Sequence, residues 1–307
     1  MKYNRSRMTN FHQLHIFHAV ATHGSFSKAA RALSISQPAV SIQVRGLEEA
    51  IGSPLLHRTR HGPILTDIGD AVFSYTRRIF ALAEEMEEAV RDVQGLRAGR
   101  LTIGSSTTPG EYILPFVIGE FQKRYPDIEV SLSISNTEAI LEKIRYREID
   151  LGMAGAPVTI EGLASFTYVD DDIVIIGSPD HPLMDRPGLT MGDLEGERFI
   201  AREEGSATRK TAEQCLAANG VTVKVVMELG SNEAVKRAAA AGLGLGMVSS
   251  FGAAPDVAGG YVKILQVKGW DCRRPLSVFH REGEHLPATQ RAFLDFLRVE
   301  RPMPPGA

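Results

Sequence analysis

Apolar residues in the first part of the chain recur at every third or fourth position, the spacing of an amphipathic helix. One such set predicts a first helix, and Gly24 directly after it is the residue type at which helices commonly end. Ser25 can then cap a second short helix over 26–33. The predicted inward face of the first helix consists of Phe11, Leu14, Phe17, His18 and Ala21.

A third helix is predicted after a four-residue turn. Ser36 is a typical N-cap, Pro38 fits the first helical turn, and Gly52 marks the end. Two short helices around a tight turn form the helix-turn-helix arrangement, whose second helix enters the major groove of DNA. The inward positions of this helix are Val40, Val44 and Leu47.

Polar side chains line the outer face of the third helix. Gln37, Ser41 and Arg45 lie at four-residue spacing and therefore share one exposed face. Glutamine can pair with adenine, arginine with guanine, and serine with a base or a phosphate. The alternative is an ordinary solvated helix face. The basic, hairpin-like segment 55–66, with Arg58 and Arg60, suits contacts with the phosphate backbone or the minor groove.

From Asp67 the spacing changes to a heptad repeat, which predicts one long helix over 67–98 with Thr66 as its cap. A helix packed only on its own domain is the alternative. At ~1.5 Å per residue this helix spans roughly 40 Å, with charge on its other faces, and a partner helix explains that pattern better. A homodimer would also place two heads on one duplex. The predicted dimerisation positions are Val72, Tyr75, Ile79, Leu82, Met86 and Val93.

Residues 100–299 alternate between strand and helix patterns, which predicts an α/β fold with a parallel, doubly wound sheet. A second set of strands begins at Ile173, and the segment 275–280 with the helix 287–299 is expected to return to the first set. The predicted domains are a DNA-binding head over 8–66, a linker helix over 67–98, a first lobe over 99–170 and 272–300, and a second lobe over 171–271.

The distribution of charge changes the picture of the head. The whole chain has a formal net charge of −3, which by itself argues weakly against a nucleic-acid partner. Residues 1–66, however, contain eight lysines and arginines against two acids, a balance of +6, whereas the remainder has a balance of −9. A basic head on an acidic body indicates a polyanionic partner, double-stranded DNA, for the head alone.

Composition and motifs narrow the class of protein further. The chain has no secretory signal and no stretch apolar enough to span a membrane, so we expect a cytoplasmic protein without a membrane partner. Cys215 and Cys272 cannot form a disulfide framework, and we expect both to be small buried hydrophobic residues. No residue cluster has the spacing of metal ligands, and no motif indicates a cofactor or an enzyme.

The run from Phe26 to Ser41, followed by Leu47-Glu48 and residues 65–69, resembles the winged helix-turn-helix of LysR-type transcriptional regulators. The similarity extends over essentially the whole chain. It implies an effector domain with two lobes, like that of periplasmic binding proteins, and a small-molecule effector between the lobes. Residues 105–115 are similar to the corresponding stretch in family members that govern sulfur assimilation and carbon fixation.

Carried over by position, the resemblance places Gln37, Pro38 and Ser41 at the major groove. Two residues depart from the family pattern. Ile42 stands where the family often has a polar residue that contacts a base, and Gly46 stands where a basic residue is common. We therefore expect base recognition to rest mainly on the outer polar face of the third helix. The predicted DNA-binding residues are Ser27, Ser36, Gln37, Pro38, Ser41, Arg45, Arg58 and Arg60.

The candidate effector site is predicted from the ends of strands. Ligands of open α/β sheets gather outside the carboxyl ends of the strands, where helix N-termini offer free N–H groups. Several of these ends carry hydroxyl groups, and Thr137 is the predicted cap of its helix. One hydroxyl is most simply an N-cap, but their convergence on one cleft favours a small anion. The expected effector-binding residues are Ser106, Thr107, Thr108, Thr137, Ser206, Thr208, Arg209 and Ser231.

Together these patterns favour a sequence-specific DNA-binding transcriptional regulator that responds to a small anionic metabolite. Its expected partners are double-stranded DNA, the effector, RNA polymerase and further copies of the chain, in a dimer or a tetramer. One alternative is a metabolite-binding protein or enzyme with a helical dimerisation module. A second alternative is an architectural protein that binds DNA without sequence preference.

Overall fold

The computed structural model describes residues 10–59, 62–93, 99–282 and 286–303. It contains two compact units, Met1–Val90 and Arg91–Ala307, which we call the head unit and the body unit. The helices of the head are α1 (Phe11–His23), α2 (Phe26–Ala32), α3 (Gln37–Ile51) and α4 (Asp67–Val93). Its hairpin consists of β1 (Leu56–Thr59) and β2 (Gly62–Leu65), which are antiparallel.

The ends of the first three helices follow local side-chain chemistry, as the sequence predicted. Gly24 and Gly52 end α1 and α3 in the left-handed conformation, with φ of 58° and 82°. The Ser25 hydroxyl accepts a hydrogen bond from Lys28 N, and the Ser36 hydroxyl accepts one from Ala39 N, both at 3.3 Å. These caps fix α2 and α3 around the turn between them, so the helix-turn-helix geometry is confirmed.

The core of the head joins α1, α2, α3 and the hairpin. Phe17, Val40 and Leu47 are fully buried in it. Phe11, predicted on the inward face of α1, is instead 65% exposed, because it is the first residue of the helix and only the following turns reach the core. Gly69 packs so closely on the hairpin entry that a Cβ there would lie 1.9 Å from the Leu55 carbonyl oxygen.

Helix α4 begins as part of the head core. Thr66 caps it, as predicted, by accepting a hydrogen bond from Gly69 N at 2.9 Å. Val72 packs against the head core together with Phe73 and Phe80. Val72, a predicted dimer position, packs on its own domain here, since α1 lies against the first turns of α4, and its place in a dimer seam stays a prediction.

The body unit is built on one nine-stranded mixed sheet in the described part of the chain, with strand order β4-β3-β5-β11-β6-β9-β7-β8 and β10 paired with β6. At each end of the sheet three strands are parallel, as predicted, but the strands in the middle pair antiparallel. The strands are β3 (Gly99–Ser106), β4 (Ile128–Ser135), β5 (Leu151–Ala154), β6 (Leu163–Gly177), β7 (Arg198–Arg202), β8 (Lys224–Leu229), β9 (Leu245–Ser249), β10 (Lys263–Ile264) and β11 (Arg273–Arg281).

Helices cover both faces of each half of this sheet. In the first half, Phe121 and Phe293 pack on one face and Ile140 on the other. In the second half, Leu216 and Val235 lie in two separate clusters. The helices are α5 (Thr107–Tyr112), α6 (Leu114–Arg124), α7 (Thr137–Arg145), α8 (Ala207–Ala218), α9 (Asn232–Ala240), α10 (Ser250–Ala258) and α11 (Ala288–Val299), with a short 3₁₀ helix over Met191–Leu194.

Two long antiparallel strands, β6 and β11, connect the halves, which we call the first and second lobes. Both cysteines were expected to be buried. Cys272 is buried in the core of the second lobe, but Cys215 is only half-buried against that core. Burial also raises the pKa of the Cys272 thiol. Both thiols are free, and both are packed as small side chains.

Candidate functional site

Four helix N-termini follow the carboxyl ends of strands in the two lobes. In the first lobe, α5 follows β3 and α7 follows β4. In the second lobe, α8 follows β7 and α9 follows β8. Helix N-termini carry free backbone N–H groups and the positive end of the helix dipole, so this edge of the sheet favours a hydrogen-bond-accepting ligand.

An inner cavity of about 10 Å³ lies where these ends meet, too small for more than a water molecule. Hydrogen bonds close it across the lobes. Thr107 Oγ1 of the first lobe accepts a hydrogen bond from Arg202 Nη2 at 3.1 Å, and Thr108 Oγ1 accepts one from Asn232 Nδ2 at 3.4 Å. Arg274, on the connecting strand β11, also donates to Thr108 Oγ1 at 3.0 Å. The lobes are therefore held together by hydroxyl groups of α5.

The two guanidinium groups at the inner cavity are buried and already paired with carboxylates. Arg202 contacts Glu203 at 2.8 Å and also donates to Asn232. Arg274 contacts Asp171 at 2.8 Å. Burial raises the pKa of Asp171, and the adjacent Arg274 opposes that rise. The site therefore has cationic donors but little uncompensated charge.

Thr137 differs from every other polar side chain of the described residues. Its Oγ1 is the one buried side-chain oxygen or nitrogen there that has no hydrogen-bond partner, and the residue is 8% exposed. The prediction that Thr137 caps α7 is wrong, because Asn136 Oδ1 accepts the hydrogen bond from Ala139 N at 2.9 Å. This leaves the Thr137 hydroxyl, which lines both cavities, without a structural partner.

An outer cavity of about 520 Å³ opens beside the inner one and has the size of a small-ligand site. Its wall includes Glu138, Glu204 and Lys210. Arg209, an expected effector-binding residue, contacts Glu213 at 2.8 Å and Glu228 at 2.6 Å, and these hydrogen bonds raise its pKa. Arg209 lines the outer cavity, but two carboxylates compensate its charge.

Most of the predicted effector residues lie together. Ser106, Thr107, Thr108, Thr137, Ser206 and Thr208 line the inner cavity, and Ser206 also caps α8. Ser231 lines neither described cavity; its hydroxyl caps α9 by accepting from Ala234 N at 3.1 Å. The role of Ser231 in effector binding therefore stays a prediction. The residues that sequence reasoning missed are Arg202, Asn232 and Arg274.

A second contact joins the lobes at the other end of α5. The Tyr112 ring packs on α10, where a Cβ at Gly252 would lie 3.0 Å from the ring. Lys236 of α9 lies 5.6 Å from the centre of that ring and pairs with Asp256 and Glu233. Burial would lower the pKa of Lys236, but hydrogen bonds to the two carboxylates raise it. Helix α5 thus contacts the second lobe at both of its ends.

In the head unit, α3 presents the predicted polar face. Gln37 and Arg45 are exposed and Ser41 is half-buried, and Gln37 Nε2 donates to Ser41 Oγ at 2.9 Å. Ser27 and Pro38 are exposed as well, whereas the Ser36 hydroxyl is engaged as the cap of α3. The side chain of Arg58 and the whole of Arg60 lie outside the described residues, as does the side chain of Val93 on α4.

Glu48 ties α3 to the hairpin. Its Oε1 accepts hydrogen bonds from Leu55 N at 2.8 Å and Leu56 N at 3.3 Å. Gly46, a departure from the family pattern, packs on α1, where a Cβ would lie 2.6 Å from Gln13 Nε2. The helix and the hairpin are therefore held as one rigid piece of the head.

Comparison with known proteins identifies the family. Residues 11–70 match the bacterial regulatory helix-turn-helix protein, lysR family, and residues 94–301 match the LysR substrate binding domain. The chain belongs to the LysR family of transcriptional regulators. The LysR assignment confirms the expected fold, a helix-turn-helix head followed by an effector domain with two lobes.

Individual relatives of this LysR regulator are of comparable length. The HTH-type transcriptional activator CmpR of Synechocystis sp. is 34% identical over 286 residues, 93% of this chain and 94% of CmpR. The RuBisCO operon transcriptional regulator of Allochromatium vinosum is 35% identical over 288 residues, 94% of this chain and 95% of the relative. The solved regulatory domain of Synechocystis CcmR, in complex with 2-PG, is 34% identical with a TM-score of 0.62, and the match covers 66% of this chain and 97% of that domain.

These relatives make the chain a DNA-binding transcriptional regulator and not an enzyme. The 2-PG in the CcmR structure belongs to that relative, and the match of residues 11–70 is to a regulatory helix-turn-helix family. Across the described ranges, no helix combines the length and apolar character needed to cross a membrane. The names of the relatives support a regulator over the alternative, a metabolite-binding protein or enzyme with a helical dimerisation module.

Proposed function

We propose that this LysR regulator binds a small anionic metabolite between its lobes and that binding changes the affinity or spacing of its DNA-binding heads. The observation that carries the proposal is the Thr137 hydroxyl, a buried group without a partner that lines both cavities. An unpaired buried hydroxyl costs about 1–3 kcal/mol, so its persistence is best explained by a ligand that supplies the missing hydrogen bond.

The chemistry of the wall supports an anion with several acceptor oxygens. Three threonine hydroxyls, at Thr107, Thr108 and Thr137, and the N-termini of α5, α7 and α8 surround the cavities. Because Arg202 and Arg274 already have carboxylate partners, an entering anion must compete for their donors while it gains the hydroxyl and backbone donors. A phosphate or carboxylate group satisfies this set better than an apolar ligand does.

The relatives support a more specific proposal. CcmR, 34% identical over its regulatory domain, is solved in complex with 2-PG, and several full-length relatives are named as regulators of RuBisCO operons. We propose that this chain responds to an effector of the same chemical class as 2-PG and controls genes of carbon assimilation. Its cytoplasmic location and its contact with RNA polymerase belong to the same proposal.

We also propose the residues that perform each role. The exposed face of α3 and the hairpin are proposed to contact DNA. The exposed heptad positions of α4 are proposed to contact the second copy in the dimer. The proposed domains keep the boundaries drawn from the sequence. The DNA-binding head is 8–66, the dimerisation helix is 67–98, the first effector lobe is 99–170 with 272–300, and the second is 171–271. A dimer places two α3 helices on one pseudo-palindromic site, and a tetramer would pair two dimers.

The test is a Thr137→Val substitution in the full-length protein, because valine keeps the shape and removes the hydroxyl. We expect the free protein to unfold at an equal or higher temperature, since an unpaired buried hydroxyl is lost. We expect the affinity for 2-PG, measured by titration calorimetry, to fall about threefold to tenfold, the value of one hydrogen bond.

The matched control is Thr167→Val, which changes an exposed threonine of β6 outside both described cavities. It should leave 2-PG binding unchanged. Inorganic phosphate, tested alongside, shows whether a small inorganic anion alone is enough for binding. If Thr137→Val loses stability and keeps full 2-PG affinity, the hydroxyl has a structural role and the cavity assignment is wrong.

A further inference from the structure

The exposed face of α3 carries an isoleucine that the fold does not use. Ile42 is 66% exposed, one of the largest exposed fractions of any large apolar side chain in the described part of the protein. It lies two residues from both Val40 and Val44, which are buried, and two residues are slightly more than half a helical turn. Its side chain therefore points almost directly away from the core of the head.

The neighbours of Ile42 form a mixed surface. Pro38 lies one turn earlier, so Pro38 and Ile42 make a short apolar strip. Gln37, Ser41 and Arg45 form one polar row along a single side of this strip. The side chain of Ile42 belongs to none of the described core clusters. A β-branched residue is also slightly unfavourable in a helix, so local propensity does not explain isoleucine at this place.

The face that carries Ile42 belongs to the second helix of the helix-turn-helix, which lies in the major groove in this class of domain. The floor of that groove presents hydrogen-bonding edges and one apolar group, the C5-methyl of thymine. The hydrogen bond from Gln37 to Ser41 leaves the Gln37 carbonyl oxygen and a second N–H group for adenine. An A·T-containing half-site therefore matches both the amide and the strip beside it.

We infer that Ile42 is a specificity-determining residue that contacts the C5-methyl group of a thymine in the major groove. This inference rests on the proposed function, sequence-specific DNA binding by α3. It adds an apolar contact to the polar face that the sequence predicted, so recognition depends on the methyl group as well as on hydrogen bonds. The sequence marked Ile42 only as a departure from the family pattern, because the prediction sought base contacts among polar side chains.

The experiment begins with selection of bound duplexes from a random-sequence DNA library by the full-length protein. In the selected duplex each thymine is then replaced, one at a time, by deoxyuridine, which lacks only the C5-methyl group. We expect one symmetric pair of positions at which deoxyuridine weakens binding about threefold to fivefold per half-site, the value of one buried methyl group. Ile42→Ala should weaken binding to the thymine duplex and lose the discrimination against deoxyuridine at that position alone.

Ile68→Ala is the matched control, because Ile68 is an exposed isoleucine of the same unit at the start of α4. This variant should keep the full deoxyuridine effect. If deoxyuridine has no effect at any position, or if Ile42→Ala keeps the effect, the inference is overturned while sequence-specific binding stands. If no sequence is enriched from the library, the proposed function itself fails. If Ile42→Ala instead dissociates the oligomer and leaves DNA recognition unchanged, Ile42 contacts a second copy and the inference is wrong.

Discussion

His18 is a side chain of the head whose protonation the fold opposes. Its Nδ1 lies 3.1 Å from Thr76 Oγ1, and its ring packs against Phe73 and Phe80 of α4. Burial lowers the pKa of His18 to about 4, and the nearby charges of His15 and Arg77 act in the same direction. The folded head therefore binds the His18 proton more weakly than the unfolded chain does.

The sign of the pH effect follows from this difference. The unfolded chain takes up the proton near pH 6.5 and the folded head only near pH 4, so the free energy of unfolding should decrease as the pH falls between those values. With partial solvent access considered, we expect a loss of about 1 kcal/mol by pH 5. Urea unfolding at pH 7 and pH 5 measures it, and His18→Gln should be less sensitive to the change than wild type. Equal sensitivity in both proteins would contradict the assignment to His18.

In the candidate effector site, the hydroxyl groups could be predicted from the sequence, but the arginines that donate hydrogen bonds to them could not. Thr107 and Thr108 come directly after the carboxyl end of β3, so the general rule for α/β sheets was enough to find them. Arg202 is the last residue of β7, and its place at the end of a strand was an available signal for it. Arg274 lies on β11, and only the pairing of β11 with β6 brings it to Thr108, so no local pattern in the sequence indicates it.

Helix ends were predictable because caps and glycines act over a few residues. The strand β6 was predicted only from Ile173, although it begins at Leu163. Its middle is a run of three acids, residues 170–172, which resembles a loop in the sequence. In the structure Asp171 and Asp172 are paired with Arg274 and Arg273 of the neighbouring strand β11, so the compensation for these charges is distant in the chain.

The second half of α4 carries the apolar positions that the head leaves uncovered. Tyr75, Leu82 and Met86 are more than half exposed, whereas Val72 is used by the head core and Ile79 is half-buried. Exposed apolar residues spaced by seven and four along one helix are typical of a helix–helix interface. The dimer is therefore proposed to use mainly the positions after the second turn of α4.

Met86→Gln should weaken the dimer, because each copy would place a polar side chain where a buried methionine contributes about 1.5–3 kcal/mol. We expect the dissociation constant, measured by sedimentation equilibrium over a dilution series, to rise about tenfold or more. Glu87→Gln, at the adjacent exposed position outside the heptad line, is the matched control and should change it less than about twofold. Equal effects of both substitutions would place the interface elsewhere on the chain.

At the scale of the whole molecule, charge is divided so that one part of the chain can bind a polyanion and the rest cannot. The balance is +6 over residues 1–66 and −9 over the remainder. Binding of DNA by the basic part alone should release counterions, so the logarithm of the binding constant should fall steeply and linearly with the logarithm of the salt concentration. The expected slope is about −0.9 for each phosphate contacted.

Two substitutions test which part of the chain contributes this slope. Arg45→Gln removes an exposed cation of α3 and should reduce the magnitude of the slope by up to about 0.9 per subunit when affinity is measured by fluorescence anisotropy from low to high salt. Lys123→Gln removes an equally charged, well-exposed side chain of α6 in the acidic body, and the slope should not change. Because the two substitutions alter the net charge of the protein equally, a matching change in slope would show that total charge governs binding. A change confined to Arg45→Gln assigns the release of counterions to the head.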